Sequence, residues 1–246
     1  MPGRGAWWGG DGCRKSVGRM NPPPPPEAPR WLYLHGYGSG PGSFKGVALA
    51  AHYQRQGVHL ERLNLRLPSF ERLRLSAGIQ AVRDAIGGEQ DRAVVFGSSL
   101  GGLTALRAAQ LDARVCALVL LAPAFHLVEQ LRRRLGEAGM RRWEESGSVE
   151  AEDFAEKRKT SVDYGFIRDA EEVDARLGPW PDVRVPTLIV HGRGDDTARI
   201  DYSRAWVQGR RHARLVEVDD GHELTASLDR IQREADAFLA PFLAAP

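Results

Sequence analysis

The sequence predicts an α/β domain built on a mostly parallel sheet of about six strands, with helices on both of its faces. Three observations predict it. Short apolar, β-prone runs alternate with amphipathic helical stretches along most of the 246 residues. Two of those runs, at 93–96 and 115–121, are apolar almost throughout, as strands covered on both faces must be. Polar, glycine-bearing loops follow several of the strands, and in a parallel sheet such loops gather along the carboxyl edge.

The first strand is 31–35, Trp-Leu-Tyr-Leu-His, which runs into the flexible loop Gly36-Tyr37-Gly38-Ser39-Gly40. A helix over 44–56 carries Val47, Leu49, Ala50 and Tyr53 and stops at Gly57. Residues 58–65 alternate apolar and polar and form the second strand, which Pro68 ends. Ser76 is the expected N-cap of the next helix, where Ile79, Val82 and Ile86 share a face before Gly87-Gly88. The strand at 93–96 leads through a Gly-Ser-Ser-Leu-Gly turn into a tightly packed helix bearing Leu100, Leu103 and Leu106. The strand at 115–121 follows. Later strands are expected at 185–190 and 215–218, and helices at 201–208 and 228–243.

Two stretches fall outside this rhythm. Residues 1–29 are rich in Gly, Arg and Pro and end in the run Pro22 to Pro26, which reads as a disordered leader. Met20 is a plausible alternative start within it. Residues 125–182 are charged, helical in pattern and without a clear strand, so they read as a helical cap inserted into a single domain over 30–246. The basic runs in the insertion, such as Arg132-Arg133-Arg134, read as solvated helix faces.

Composition excludes several classes. A net charge of +2 with interleaved acidic and basic residues leaves no nucleic-acid footprint. No apolar run is long enough for a membrane span, and no apolar stretch near the N-terminus resembles a secretory signal. The two cysteines, Cys13 and Cys116, suggest neither a disulfide framework nor a metal site. A reducing, cytoplasmic location fits, as does a monomer or homodimer.

The chemistry is expected at the strand–turn–helix segment around Ser99. Gly97, Ser99 and Gly101 fit G-x-S-x-G, in which a serine stands clear of its backbone on a tight turn and small neighbours avoid the strand and helix. The helix start behind it favours developing negative charge. Asp195 and His222 lie in loops just after two later strands. Ser99 is the expected nucleophile, His222 the general base and Asp195 the group that orients the imidazole. Asp196 is the alternative acid. Ser98 lacks the flanking glycines, Asp219 and Asp220 read as loop or capping residues, and His35 reads as a structural loop residue. The backbone N–H groups of Tyr37 and Leu100 are the expected oxyanion donors.

The order Ser, Asp, His and the spread of motifs from Trp31 onward identify a resemblance to the α/β-hydrolase superfamily. His35 to Gly38 resembles its oxyanion loop, His191-Gly192-Arg193-Gly194-Asp195 its acid loop and Gly221-His222 its histidine loop. Tyr37-Gly38-Ser39-Gly40-Pro41 and Gly97 to Gly102 resemble small bacterial esterases of the YqiA-like group. Val162 to Ile167 and the His-Gly-x-x-Asp-Asp loop resemble acyl-protein thioesterases of the ABHD10 type. The resemblance implies hydrolysis of a small-molecule acyl ester or thioester, with no metal or organic cofactor. Peptide, lactone or carbon–carbon cleavage on the same residues, or a non-catalytic binding role, are the alternatives. Ala198 and Arg199 stand where the family's acid loop often has Val and Pro, which implies a less rigid loop.

Overall fold

The computed structural model describes residues 28–243. The leader expected over 1–29 therefore lies outside the described residues except for its last two positions.

Six strands form one parallel sheet: β1 (Arg30–Leu34), β2 (Leu60–Leu63), β3 (Ala93–Ser98), β4 (Val115–Leu121), β7 (Thr187–Gly192) and β8 (Ala213–Val218). Their order is β2-β1-β3-β4-β7-β8, and every neighbouring pair runs parallel. The side-chain alternation of the strands divides the core in two. Trp31, Tyr33, Val94, Phe96, Val119 and Val190 pack with α1 (Phe44–Gln54) and α7 (Leu228–Leu243). Leu32, Leu34, Val95, Leu118, Leu120 and Ile189 pack with α2 (Leu75–Ile86), α3 (Leu100–Leu111) and α6 (Ile200–Val207). No helix among the described residues is long and apolar enough to cross a membrane.

Residues 125–182 depart from the sequence reading. They hold α4 (Leu127–Ser146) and α5 (Gly165–Leu177), but between them lies an antiparallel hairpin of β5 (Ser148–Asp153) and β6 (Arg158–Asp163). Few apolar residues mark these strands, because polar ties anchor much of the hairpin. Arg66, just past β2, grips Asp153 with two nitrogens at 2.6 and 2.7 Å. Glu71 accepts from Arg158 at 2.7 Å and Thr160 at 3.0 Å, and Arg74 holds Asp163 at 2.8 Å. Helix α4 itself breaks at Gly136, whose φ of 68° and ψ of 166° are not helical.

Ser76 is also corrected. It lies inside the first turn of α2, and the cap position is Arg74. The Ser76 hydroxyl donates to Asp169 of α5, and the Ser76 N–H donates to the same carboxylate at 2.9 Å. A carboxylate from a distant helix thus satisfies an orphan donor of α2, which no local pattern encodes.

The Asp153 side chain is fully buried. The hydrogen bonds from Arg66 outweigh that burial and hold its carboxyl down at about 2. A depressed carboxylate stabilises the fold above the ordinary value of about 4, and that contribution is lost as pH falls through the folded value. Asp153→Asn should therefore cost about 3 kcal/mol at neutral pH, where it strands Arg66. The gap between variant and wild type should close as pH falls from about 4 toward 2, read by urea midpoints across pH.

Candidate active site

Ser99 sits on the turn between β3 and α3 with φ 54° and ψ −117°, a conformation that costs a non-glycine residue on the order of 1–3 kcal/mol. The turn is locked around it. Its N–H donates to Leu121 O at 2.9 Å, and its carbonyl accepts from Gly102 at 2.9 Å and Ala124 at 3.1 Å. Glycine is required on both sides for a physical reason. A Cβ at Gly97 would meet the backbone of Gly101, and one at Gly101 would meet the carbonyl oxygens of Leu34 and His35. Strand, elbow and helix are too close for side chains. Gly101→Ala should destabilise the protein by about 3 kcal/mol, since backbone cannot give way. Gly42→Ala, whose Cβ would have nothing within 4 Å, should change stability little. Urea unfolding of the pair checks this.

The acid and the imidazole arrive by the same device. A Cβ at Gly192, the last residue of β7, would strike the carbonyls of Asp220 and Gly221. The two loops after β7 and β8 can therefore touch, and Gly194 N–H bonds Asp220 O at 3.0 Å. Asp195 and His222 are brought together there. His222 Nδ1 lies 2.8 Å from Asp195 Oδ2, and His222 Nε2 lies 3.0 Å from Ser99 Oγ. An ionised carboxylate only accepts, so Nδ1 carries the hydrogen and Nε2 is left to accept from the serine hydroxyl. Asp196 is exposed and, among the described residues, accepts only from the Thr197 hydroxyl at 3.2 Å.

The Asp195 side chain has no solvent exposure, which alone would raise its pKa. Hydrogen bonds reverse that and hold the carboxyl well below the usual range. Oδ1 accepts from the N–H groups of Thr197 at 2.9 Å and Ala198 at 2.8 Å. Oδ2 accepts from His222 and also faces His191 Nε2 at 3.1 Å. His191 is fully buried, donates through Nε2 to Ala198 O at 2.7 Å, and takes the Ser203 hydroxyl on Nδ1 at 2.8 Å. The loop expected to be less rigid is thus tied at both ends of Ala198. Sequence reading treats His191 only as part of a motif. Its spacing from Asp195 is the one available signal for its contact with the acid.

Tyr37 and Leu100 both line the cavity over Ser99. Neither backbone N–H has an acceptor among the described residues. His35 is turned away from the site: Nε2 accepts the Leu65 N–H at 3.0 Å and Nδ1 donates to Gly36 O at 2.9 Å. Asp220 bonds the N–H groups of Gly221 and Ser227, and is a loop-capping residue.

The cavity measures about 1100 Å³. One wall comes from the insertion. Leu127, Leu131 and Leu135, one stripe of α4 ahead of its break, face it with Val149 and Ala151 of β5. Arg134 and Glu150 of the insertion also line it, as do Ser39, Ser43, Lys45 and Asn64 from outside the insertion. The turn of the hairpin rests on the loop that carries Tyr37: Ala155 N–H bonds Gly38 O at 3.2 Å, and a Cβ on Gly38 would come within 2.7 Å of Glu152 O. Among the described residues no group of three or more His, Cys, Asp or Glu side chains is arranged to hold a metal ion.

The model of the family described as "Uncharacterised protein family (UPF0227)" matches residues 30–239. The chain belongs to that family. No curated protein matches the sequence. Solved structures similar to this UPF0227 chain include α/β hydrolase domain-containing protein 10 from mouse, with a TM-score of 0.72 at 19% identity over 88% of this chain and 92% of that one. Est1E from Butyrivibrio proteoclasticus, solved with ferulic acid bound, gives 0.71 at 23% identity over 90% and 92%. The esterase domain of a Rhodothermus marinus protein gives 0.61 at 18% identity over 88% of each chain. These likenesses establish the α/β-hydrolase fold for the UPF0227 chain.

Proposed function

We propose that this UPF0227 protein is a serine hydrolase that cleaves a carboxylic ester or thioester through an acyl-enzyme on Ser99. The observation that carries this reading is the unbroken hydrogen-bond series from the Ser99 hydroxyl through His222 to a buried, fully bonded Asp195. The names of two structural neighbours, an esterase domain and Est1E with its bound ferulic acid, point the same way.

In the first step Ser99 Oγ attacks the acyl carbon and its proton passes to His222 Nε2. The carbonyl oxygen becomes an oxyanion held by the N–H groups of Leu100 and Tyr37. As the tetrahedral species collapses, the bond to the leaving oxygen or sulfur breaks, and His222 returns the proton to that atom. Water then gives a proton to His222 and attacks the acyl-enzyme. The acid leaves and Ser99 recovers its hydrogen. Asp195 stays ionised and stabilises the imidazolium in each step. These steps balance with no metal or organic cofactor. The insertion serves as a cap, and its apolar wall receives the acyl group.

Purified wild-type protein should turn over short-chain p-nitrophenyl esters and be labelled by a fluorophosphonate probe. Protein that does neither would overturn the reading.

A further inference from the structure

We propose that Lys45 is a positioning residue whose ammonium group pins the loop that carries His222. The proposal rests on the serine-hydrolase reading above. Lys45 belongs to α1, which packs on the same face of the sheet as α7, yet lies 178 residues from its partner in sequence. It is 8% exposed, a rare state for a lysine, and the loss of water is unfavourable for its charge.

What Lys45 receives in return is specific. Nζ donates at 2.7 Å to the main-chain carbonyl of Glu223, the residue that directly follows His222. The Glu223 carboxylate lies further off, at 3.5 Å, and its side chain is 78% exposed. The short, sheltered bond is thus the one to the backbone. Burial lowers the Lys45 pKa, and the negative charges of Glu223, Asp195 and Asp220 oppose that.

The loop needs such a tie. Residues 219–227 join β8 to α7 without regular structure of their own. The N-terminal half is held by Asp220, through Gly194, Gly221 and Ser227. Among the described residues, the Lys45 bond is the one hydrogen bond from elsewhere that reaches the main chain of residues 222–226. Leu224, fully buried at φ 52°, supplies an apolar anchor one residue later. Lys45 and Leu224 together set where the imidazole stands relative to Ser99.

The test is Lys45→Met, which keeps the length and apolar stem but removes donor and charge. On a p-nitrophenyl ester, kcat should fall about 10- to 100-fold with KM within about twofold of wild type, as misplaced catalytic groups behave. The rate of fluorophosphonate labelling should fall in the same ratio. Lys45→Arg, which restores donors to the Glu223 carbonyl, should recover part of kcat, and unfolding midpoints verify that both variants fold. An unchanged kcat in Lys45→Met would overturn the proposal, as would a raised KM with kcat intact, which would place Lys45 on the substrate. Failure of the parent reading looks different: the wild type itself would show neither turnover nor labelling.

Discussion

Ser99→Ala is expected to remove turnover and fluorophosphonate labelling together, with a loss on the order of 10⁵- to 10⁶-fold in kcat. The magnitude follows from what the serine does. Its Oγ is the atom that would bond the acyl carbon, and His222 Nε2 has no other partner among the described residues. Alanine leaves the Leu100 and Tyr37 N–H groups and the cavity in place, so on the proposed mechanism a small residual rate over water should survive. Stability should barely change, because the backbone bonds that hold the elbow do not use the hydroxyl. Ser98→Ala is the informative companion. Ser98 is the last residue of β3 and is buried, so the variant should keep its labelling. If Ser99→Ala were still labelled, the nucleophile would lie elsewhere.

Asp195→Asn is expected to cost about 10⁴-fold in kcat, whereas Asp196→Asn should stay within about twofold. Two backbone N–H groups bind Asp195 Oδ1, so in the amide that position must remain oxygen. The NH₂ group then takes the place of Oδ2 and confronts His222 Nδ1 and His191 Nε2. To accept from it, His222 must move its hydrogen to Nε2, which can then no longer take the proton of Ser99. The His191 contact leaves no relief, because its Nε2–H already points at Ala198 O beside the acid. Kinetics on the two purified variants distinguish the neighbouring aspartates. A loss confined to Asp196→Asn would reverse their roles.

The six strands and their neighbouring helices were legible because local periodicity reports burial. The tight strand-to-helix turn at Ser99 was legible because its flanking glycines answer to a backbone clearance that the sequence must respect everywhere the turn occurs. The contacts of Asp195 and His222 follow once parallel strands are assumed, since their loops share an edge. The β5–β6 hairpin was not legible. Its anchors, Arg66, Glu71 and Arg74, lie about 90 residues away in sequence and bind charge, which leaves no apolar rhythm. The same is true of Ser76, whose partner Asp169 belongs to a helix of the insertion, and of Lys45, whose burial is invisible in a chain where lysine is normally exposed.

The contact between Ala155 and Gly38 has a mechanical consequence. The hairpin turn and the peptide beside Tyr37 are fastened to each other, so the cavity's roof and the proposed oxyanion donor share a joint. On the proposed mechanism, a guest that lifts the roof also slackens one of the two donors, and settling of the roof re-tensions it.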